Sequence, residues 1–158
     1  VRLTLSSLPP DSRPRAAPRY GAGGRIVGAR AHIGRAYADW KDAAAAYVRG
    51  ALDGRPPLSG PVEVRLLVVV RPPLRLQPAA GATRSWCARK PDVDNVAKGV
   101  LDALTDGGAW ADDAQVCALV VHRCWAAVQP RCRGEEPVVE AEHIEVVLMP
   151  ADGQPGRW

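Results

Sequence analysis

The sequence predicts a single α+β domain, of α/β-like character, over residues 1–150: a mixed sheet of about four strands and two main helices, in the order β-α-β-α-β-β. Three observations predict it. The chain has 158 residues, 47% of them apolar, which suffices for one well-filled core and is cramped for two. Its apolar residues alternate with a period of two in some segments and recur at three to four residues in others. A strand pattern at 61–71, a helical pattern at 95–105 and a strand pattern at 115–125 then make a strand–helix–strand unit. Such a unit favours a right-handed crossover and a parallel pair.

Taken in order, RLTLSSL at 2–8 alternates briefly and reads as a first strand. Residues 9–30 are rich in Pro, Gly and Arg without periodicity, and read as a flexible basic loop. Residues 35–52 carry Tyr37, Trp40, Ala44, Tyr47, Val48 and Ala51 at helical spacing, and Gly54, Pro56 and Pro57 end that helix. In PVEVRLLVVVR at 61–71, Val62, Val64, Leu66, Val68 and Val70 fill one face, with Glu63, Arg65 and Arg71 on the other. Residues 72–91 read as a second loop, whose Trp86 meets either nucleic acid or the core. Over 95–105, Val96, Val100 and Leu104 stack, Asp94 is a good N-cap, and Gly107 and Gly108 stop the helix. QVCALVVHRCW at 115–125 is nearly continuous and apolar, the mark of a central strand, with His122 partly buried on it. Residues 129–137 read as a turn region, 138–149 as a last strand and 151–158 as a disordered tail.

Net charge is only +4, but its distribution is uneven. From Ser12 to Ala38 stand Arg13, Arg15, Arg19, Arg25, Arg30 and Arg35 with no acid, and Val64 to Pro91 is likewise basic and acid-free. Asp92 to Asp113 then holds six acids against Lys98. An acidic island between basic flanks is what a phosphate polymer and a divalent cation jointly require. Only three of the 21 basic residues are lysine, and Ala, Gly and Pro abound; this points to coding bias, so arginine preference alone is weak evidence of phosphate recognition. No apolar run approaches the roughly 20 residues of a membrane span, and VRLTLSSLPP is too short and too soon interrupted for a signal peptide. The four cysteines contain no C-x-x-C pair and read as reduced thiols of a cytoplasmic protein. His32, His122 and His143 form no recognisable triad, and GAGGR at 21–25 lacks the helix a phosphate loop needs.

Asp92 and Asp94 stand two apart before a helix, Lys98 one turn on, and Asp112 and Asp113 just before the next strand. Carboxylates brought together repel unless a cation neutralises them, and hard oxygen donors suit Mg²⁺ or Mn²⁺. Such a site activates water at a phosphate, and a lysine beside it stabilises developing charge. The plainer alternative uses the same residues for structure. Asp94 caps a helix, Lys98 pairs with Asp94 and Asp102, and Asp106 and Asp112-Asp113 make turns. An EF-hand loop is excluded, because Val96 stands where its third ligand belongs and no Gly follows.

The string PDVDNVAKGVLDALTDGGAWADDAQV closely resembles the RusA family of Holliday junction resolvases. It carries D-x-D-N at Asp92, Asp94 and Asn95, the lysine at Lys98, D-A-L at Asp102-Ala103-Leu104, and D-D before a strand at Asp112-Asp113. The resemblance implies a homodimeric, Mg²⁺-dependent endonuclease, with Mn²⁺ able to substitute, that nicks four-way DNA junctions symmetrically. It implies Asp92, Asp94 and Asp113 as metal-binding catalytic carboxylates and Lys98 as the catalytic lysine. Asn95 and Asp112 would be supporting residues and Asp102 a structural one. Arg13, Arg15, Arg19, Arg25, Arg84, Arg89 and Lys90 lie in the segments that would bind DNA. The match departs near the N-terminus, where LPPDSRPRAAPRYGAGGR keeps Pro9, Pro10, Ser12 and Tyr20 but lacks the family's Asn. Three other readings stand beside the resolvase: a general branched-DNA nuclease, a catalytically inactive junction-binding module, and a small-molecule phosphohydrolase, which would show no salt-dependent DNA affinity.

Overall fold

A computed structural model of the chain describes residues 1–10, 15–20, 22–24, 26–32, 34–73, 76, 79–90, 92–129 and 138–151, with backbone alone at 15–20 and 26–32. Nine strands and two helices are described: β1 (Arg2–Leu5), β2 (Arg15–Tyr20), β3 (Ile26–His32), α1 (Arg35–Leu52), β4 (Val62–Val70), β5 (Ser85–Trp86), α2 (Val93–Asp106), β6 (Val116–Trp125), β7 (Val128–Gln129), β8 (Val138–Val139) and β9 (His143–Pro150). A one-turn 3-10 helix, Asp113–Gln115, leads into β6. The main sheet has the order β1-β9-β4-β6-β5, and β2-β3 and β7-β8 form separate pairs. β4 and β6 are parallel, as the strand–helix–strand unit predicts, while β9 runs antiparallel to both β1 and β4.

Alternation in β4 builds the core. Val62, Val64, Leu66, Val68 and Val70 are all buried, in one cluster with Leu3 and Leu5 of β1 and with Ile144, Val146 and Leu148 of β9. The same cluster takes Ala44, Val48 and Leu52 from α1 and Val96, Val100 and Leu104 from α2, so both helices cover one face of the sheet. On the opposite face a smaller cluster of Val69, Cys124 and Ala126 packs with Leu67 and Val139. α1 ends where Asp53 turns left-handed at φ 46°, a conformation a short polar side chain tolerates. α2 ends at Gly107. Among the described residues no helix is long and apolar enough to cross a membrane.

Several sequence expectations change. Within residues 9–30, read as a loop, β2 begins an antiparallel pair with β3 from Arg15↔His32 to Tyr20↔Ile26. In RAAPRY and IVGARAH the larger apolar residues, Tyr20, Ile26 and Val27, stand only at the turn end, the rest being Ala, Gly, Pro18 and polar residues, so no alternating apolar stripe betrays the pair. Strand 115–125 is not central. β6 is flanked on its outer side by the two residues of β5 alone, and its burial alternates. The apolar run misleads because Leu119 and Val120 stay 42% and 38% exposed. His122 is exposed as well, not partly buried. The segment 138–149 breaks into β8 and β9, and the loop 72–91 contains β5. Tyr47, placed on the buried stripe of α1, is exposed, while Ala45 is buried. The turn at 130–137 and the tail at 152–158 lie outside the described residues.

Candidate active site

The acidic island is held by α2 and by the turn before β6. Val96, Ala97, Val100 and Leu104 are buried and fix the rotation of α2. Asp94 and Lys98, four apart, are therefore left together on the exposed side. The N-cap is Asp92, not Asp94. Its backbone is extended (φ −68°, ψ 144°), its carbonyl accepts the Val96 N–H at 3.2 Å, and its side chain makes no capping bond. The Asp92 carboxylate is thus not spent on the helix, and sits where the positive end of the helix dipole favours an anion. Asn95 is half-buried beside it.

The second acidic pair divides its labour. Asp112 accepts the Ala114 N–H at 2.8 Å, and Gln115 Oε1 accepts the N–H groups of Asp112 and Ala111 at 3.2 and 3.0 Å. This reciprocal capping box closes the 3-10 turn. Gln115 Nε2 then donates to the carbonyls of Leu58 and Gly60, both at 3.0 Å, tying the turn to the segment before β4. Trp110, 2% exposed, anchors the approach by donating its indole N–H to Thr105 Oγ1 at 2.9 Å. Asp112 holds the turn, and Asp113 is left exposed with no partner among the described residues. The D-x-x-Q spacing of Asp112 and Gln115 is the signal in the sequence for this positioning role, which the pattern of acids alone does not single out.

The turn packs against α2. Asp102, half-buried on that helix, accepts the Tyr37 hydroxyl at 2.8 Å, and Asp106 pairs with Lys41 at 2.7 Å. Burial and then the bond to Asp102 raise the Tyr37 hydroxyl well above its ordinary pKa, and the bond to Asp106 raises Lys41. These two acids therefore join α1 to α2. Asp92, Asp94, Asp113 and Lys98 form no ion pair with any described residue.

A model of the endodeoxyribonuclease RusA family matches residues 8–134, which include both helices, the parallel pair and the whole acidic island. The chain belongs to the RusA family. It is an endodeoxyribonuclease by that membership. No curated protein matches the chain.

Within this RusA chain, oxygen donors that are exposed and uncommitted suit a hard divalent ion. Among the described residues, however, no three His, Cys, Asp or Glu side chains stand close enough together to hold one. Asp92 and Asp94 lie at the start of α2 and Asp113 on the turn, not gathered into a ligand set.

The basic candidates also separate. Arg89 and Lys90 are exposed just before the site. Arg84 is already engaged: its Nε donates to Glu140 at 3.1 Å, its Nη2 bonds the same carboxylate, and its Nη1 lies 2.8 Å from Glu145. It is a structural cation joining β5 to the strands across the sheet, because two half-buried carboxylates need it. The Arg84 bond holds Glu140 below the usual carboxylate range; burial pushes Glu145 up, but the bonds from Arg84 and His143 outweigh it and hold it low. Arg15 and Arg19 lie on β2, in register with His32 and Gly28. Arg13 and Arg25 lie outside the described residues. Cys87, Cys117 and Cys124 are free thiols, and Cys132 lies outside the described residues.

Proposed function

We propose that the chain resolves four-way DNA junctions, as a Mg²⁺-dependent homodimer that makes paired symmetric nicks. The observation that carries this reading is the set of uncommitted charges, Asp92, Asp94 and Lys98 on α2 and Asp113 on the turn packed against it, in a RusA-family chain. Asp92, Asp94 and Asp113 would have to be drawn together to hold Mg²⁺, or Mn²⁺ in its place; when bound, the ion would supply a water acidic enough to attack phosphorus and would neutralise phosphate charge. Lys98 stabilises the negative charge that builds on the phosphate and the leaving oxygen. Asn95 supports the neighbouring carboxylates, Asp112 keeps Asp113 in place, and Arg89 and Lys90 meet backbone phosphates. Two cuts on opposed strands call for two sites related by a two-fold axis.

The test is cleavage of an end-labelled four-way junction beside a matched duplex and a fork, with Mg²⁺ or EDTA. Paired nicks confined to the junction, abolished by EDTA and by Asp92→Asn and slowed roughly 100-fold or more by Lys98→Ala, are expected. Equal cutting of fork and junction would replace the resolvase with a general branched-DNA nuclease. A second reading, a junction-binding module without catalysis, is favoured by the scattered carboxylates. Tight junction binding with no cutting in Mg²⁺ or Mn²⁺ would establish it.

A further inference from the structure

The outer edge of the sheet carries an aromatic side chain that the nuclease reading leaves unused. Trp86 is 74% exposed. Its backbone is nevertheless pinned. β5 pairs Ser85 with Trp125 and Trp86 with Cys124. The next residue, Cys87, is buried; its N–H donates to the Arg123 carbonyl at 3.1 Å, and Arg123 Nε donates back to the Cys87 carbonyl at 3.1 Å. His122, two residues from Cys124 and so on the same face of the sheet, meets the indole edge-to-face with centroids 5.4 Å apart at 85°. A paired backbone thus holds a large π-surface out in solvent, and the exposed cations Arg89 and Lys90 stand three and four residues further along the chain.

A rigid π-face beside cations matches the two parts of a nucleotide: the base stacks and the phosphates are neutralised. A base stacked within a duplex offers no free face; a branched substrate offers one wherever strands part. We propose that Trp86, braced by His122, is a stacking platform for a nucleobase that branched DNA leaves unstacked. The inference rests on the reading of the chain as a branched-DNA nuclease. Trp86 stands six residues before Asp92 and, at about 3.3 Å per residue along β6, roughly 30 Å from Asp113, and it is none of the acids or the lysine assigned to the chemistry. As a binding contact, its loss is expected to raise KM and leave kcat unchanged.

The experiment measures binding of wild type, Trp86→Ala and Trp86→Phe to a four-way junction and a matched duplex in EDTA, and cleavage in Mg²⁺. The binding series is repeated with single abasic nucleotides around the crossover. Trp86→Ala is expected to weaken junction binding roughly 5- to 150-fold with duplex binding unchanged, while Trp86→Phe stays within a few-fold of wild type. At one abasic position the penalty of Trp86→Ala should vanish, because the base it stacks on is gone. Junction binding by Trp86→Ala equal to wild type, or an equal loss on duplex and junction, overturns the platform. So does a drop in molecular mass of Trp86→Ala by sedimentation, which would make a second copy the occupant. If wild type neither binds nor cuts any branched DNA, the nuclease reading itself fails; if wild type cuts and Trp86→Ala is indistinguishable from it, the platform alone fails.

Discussion

Asp112 and Asp113 are adjacent, both exposed, and do different things: one closes a turn with its side chain, the other is carried by that turn. The same distinction between committed and uncommitted charge separates Arg84 from Arg89 and Lys90. Arg84 bridges Glu140 and Glu145, and Glu140 also accepts the Ala127 N–H at 3.0 Å, so removing the guanidinium strands two carboxylates at once. Arg84→Met is expected to cost about 1–3 kcal/mol at pH 7. The sign of its pH dependence follows from the depressed carboxylates. Glu140 and Glu145 bind protons less readily folded than unfolded, so their contribution is present above the unfolded value of about 4.3 and is lost as pH falls through the folded one. Urea unfolding at pH 7 and pH 3 checks this: the gap between wild type and Arg84→Met should shrink at the lower pH. A gap that is constant, or widens in acid, would mean the bridge contributes nothing through its charges.

At the scale of elements, the two helices meet at Gly107. A Cβ there would lie 2.6 Å from Val48 Cγ1, 2.7 Å from Val48 Cβ and 2.9 Å from the Ala103 carbonyl. The backbone itself is ordinary, with φ −78°, so the constraint is steric: α1 approaches the end of α2 too closely for a methyl group. Gly107→Ala is expected to cost about 1–3 kcal/mol through overpacking against the fully buried Val48. A denaturant midpoint that falls at unchanged slope is the expected result, and a midpoint like wild type would show that the helices can part freely. This contact was invisible in the sequence, where Gly107 read only as a helix stop. What was legible followed strong periodicity. α1 runs from Arg35 to Leu52 as its stripe and terminal Gly and Pro residues predict, and β4 buries its alternate valines. What was missed lacked an apolar signal. Beyond Ile26 and Val27 the β2–β3 pair offers mostly Ala and Arg where a strand ordinarily alternates valine or isoleucine, and β6 is apolar without being central. The site was legible as a motif, but not the difference between Asp92 as cap and Asp94 as first-turn residue, which depends on where the helix begins.

Across the whole molecule, charge is segregated by use. Tyr37–Asp102, Lys41–Asp106 and Arg84–Glu140 are internal joints, while Arg89, Lys90 and Asp92, Asp94 and Asp113 of the site are exposed and form no ion pair with a described residue. A protein arranged this way should bind DNA through phosphates, and its affinity should fall steeply with salt. Six phosphate contacts per chain, the number of basic candidates that remains once Arg84 is set aside, imply a slope of log K against log salt near −5 and a loss of about 10³ between 50 and 200 mM. The structure distinguishes the cations within that slope. Lys90→Ala should reduce its magnitude by about one, with folding stability unchanged. Arg84→Met should leave the slope alone and lower stability. Junction affinity measured from 50 to 300 mM salt, alongside unfolding of the same two variants, checks both. If Arg84→Met flattened the slope as Lys90→Ala does, the bridge to Glu140 and Glu145 would have to open on DNA, and the division between joints and binding surface would fail at that residue.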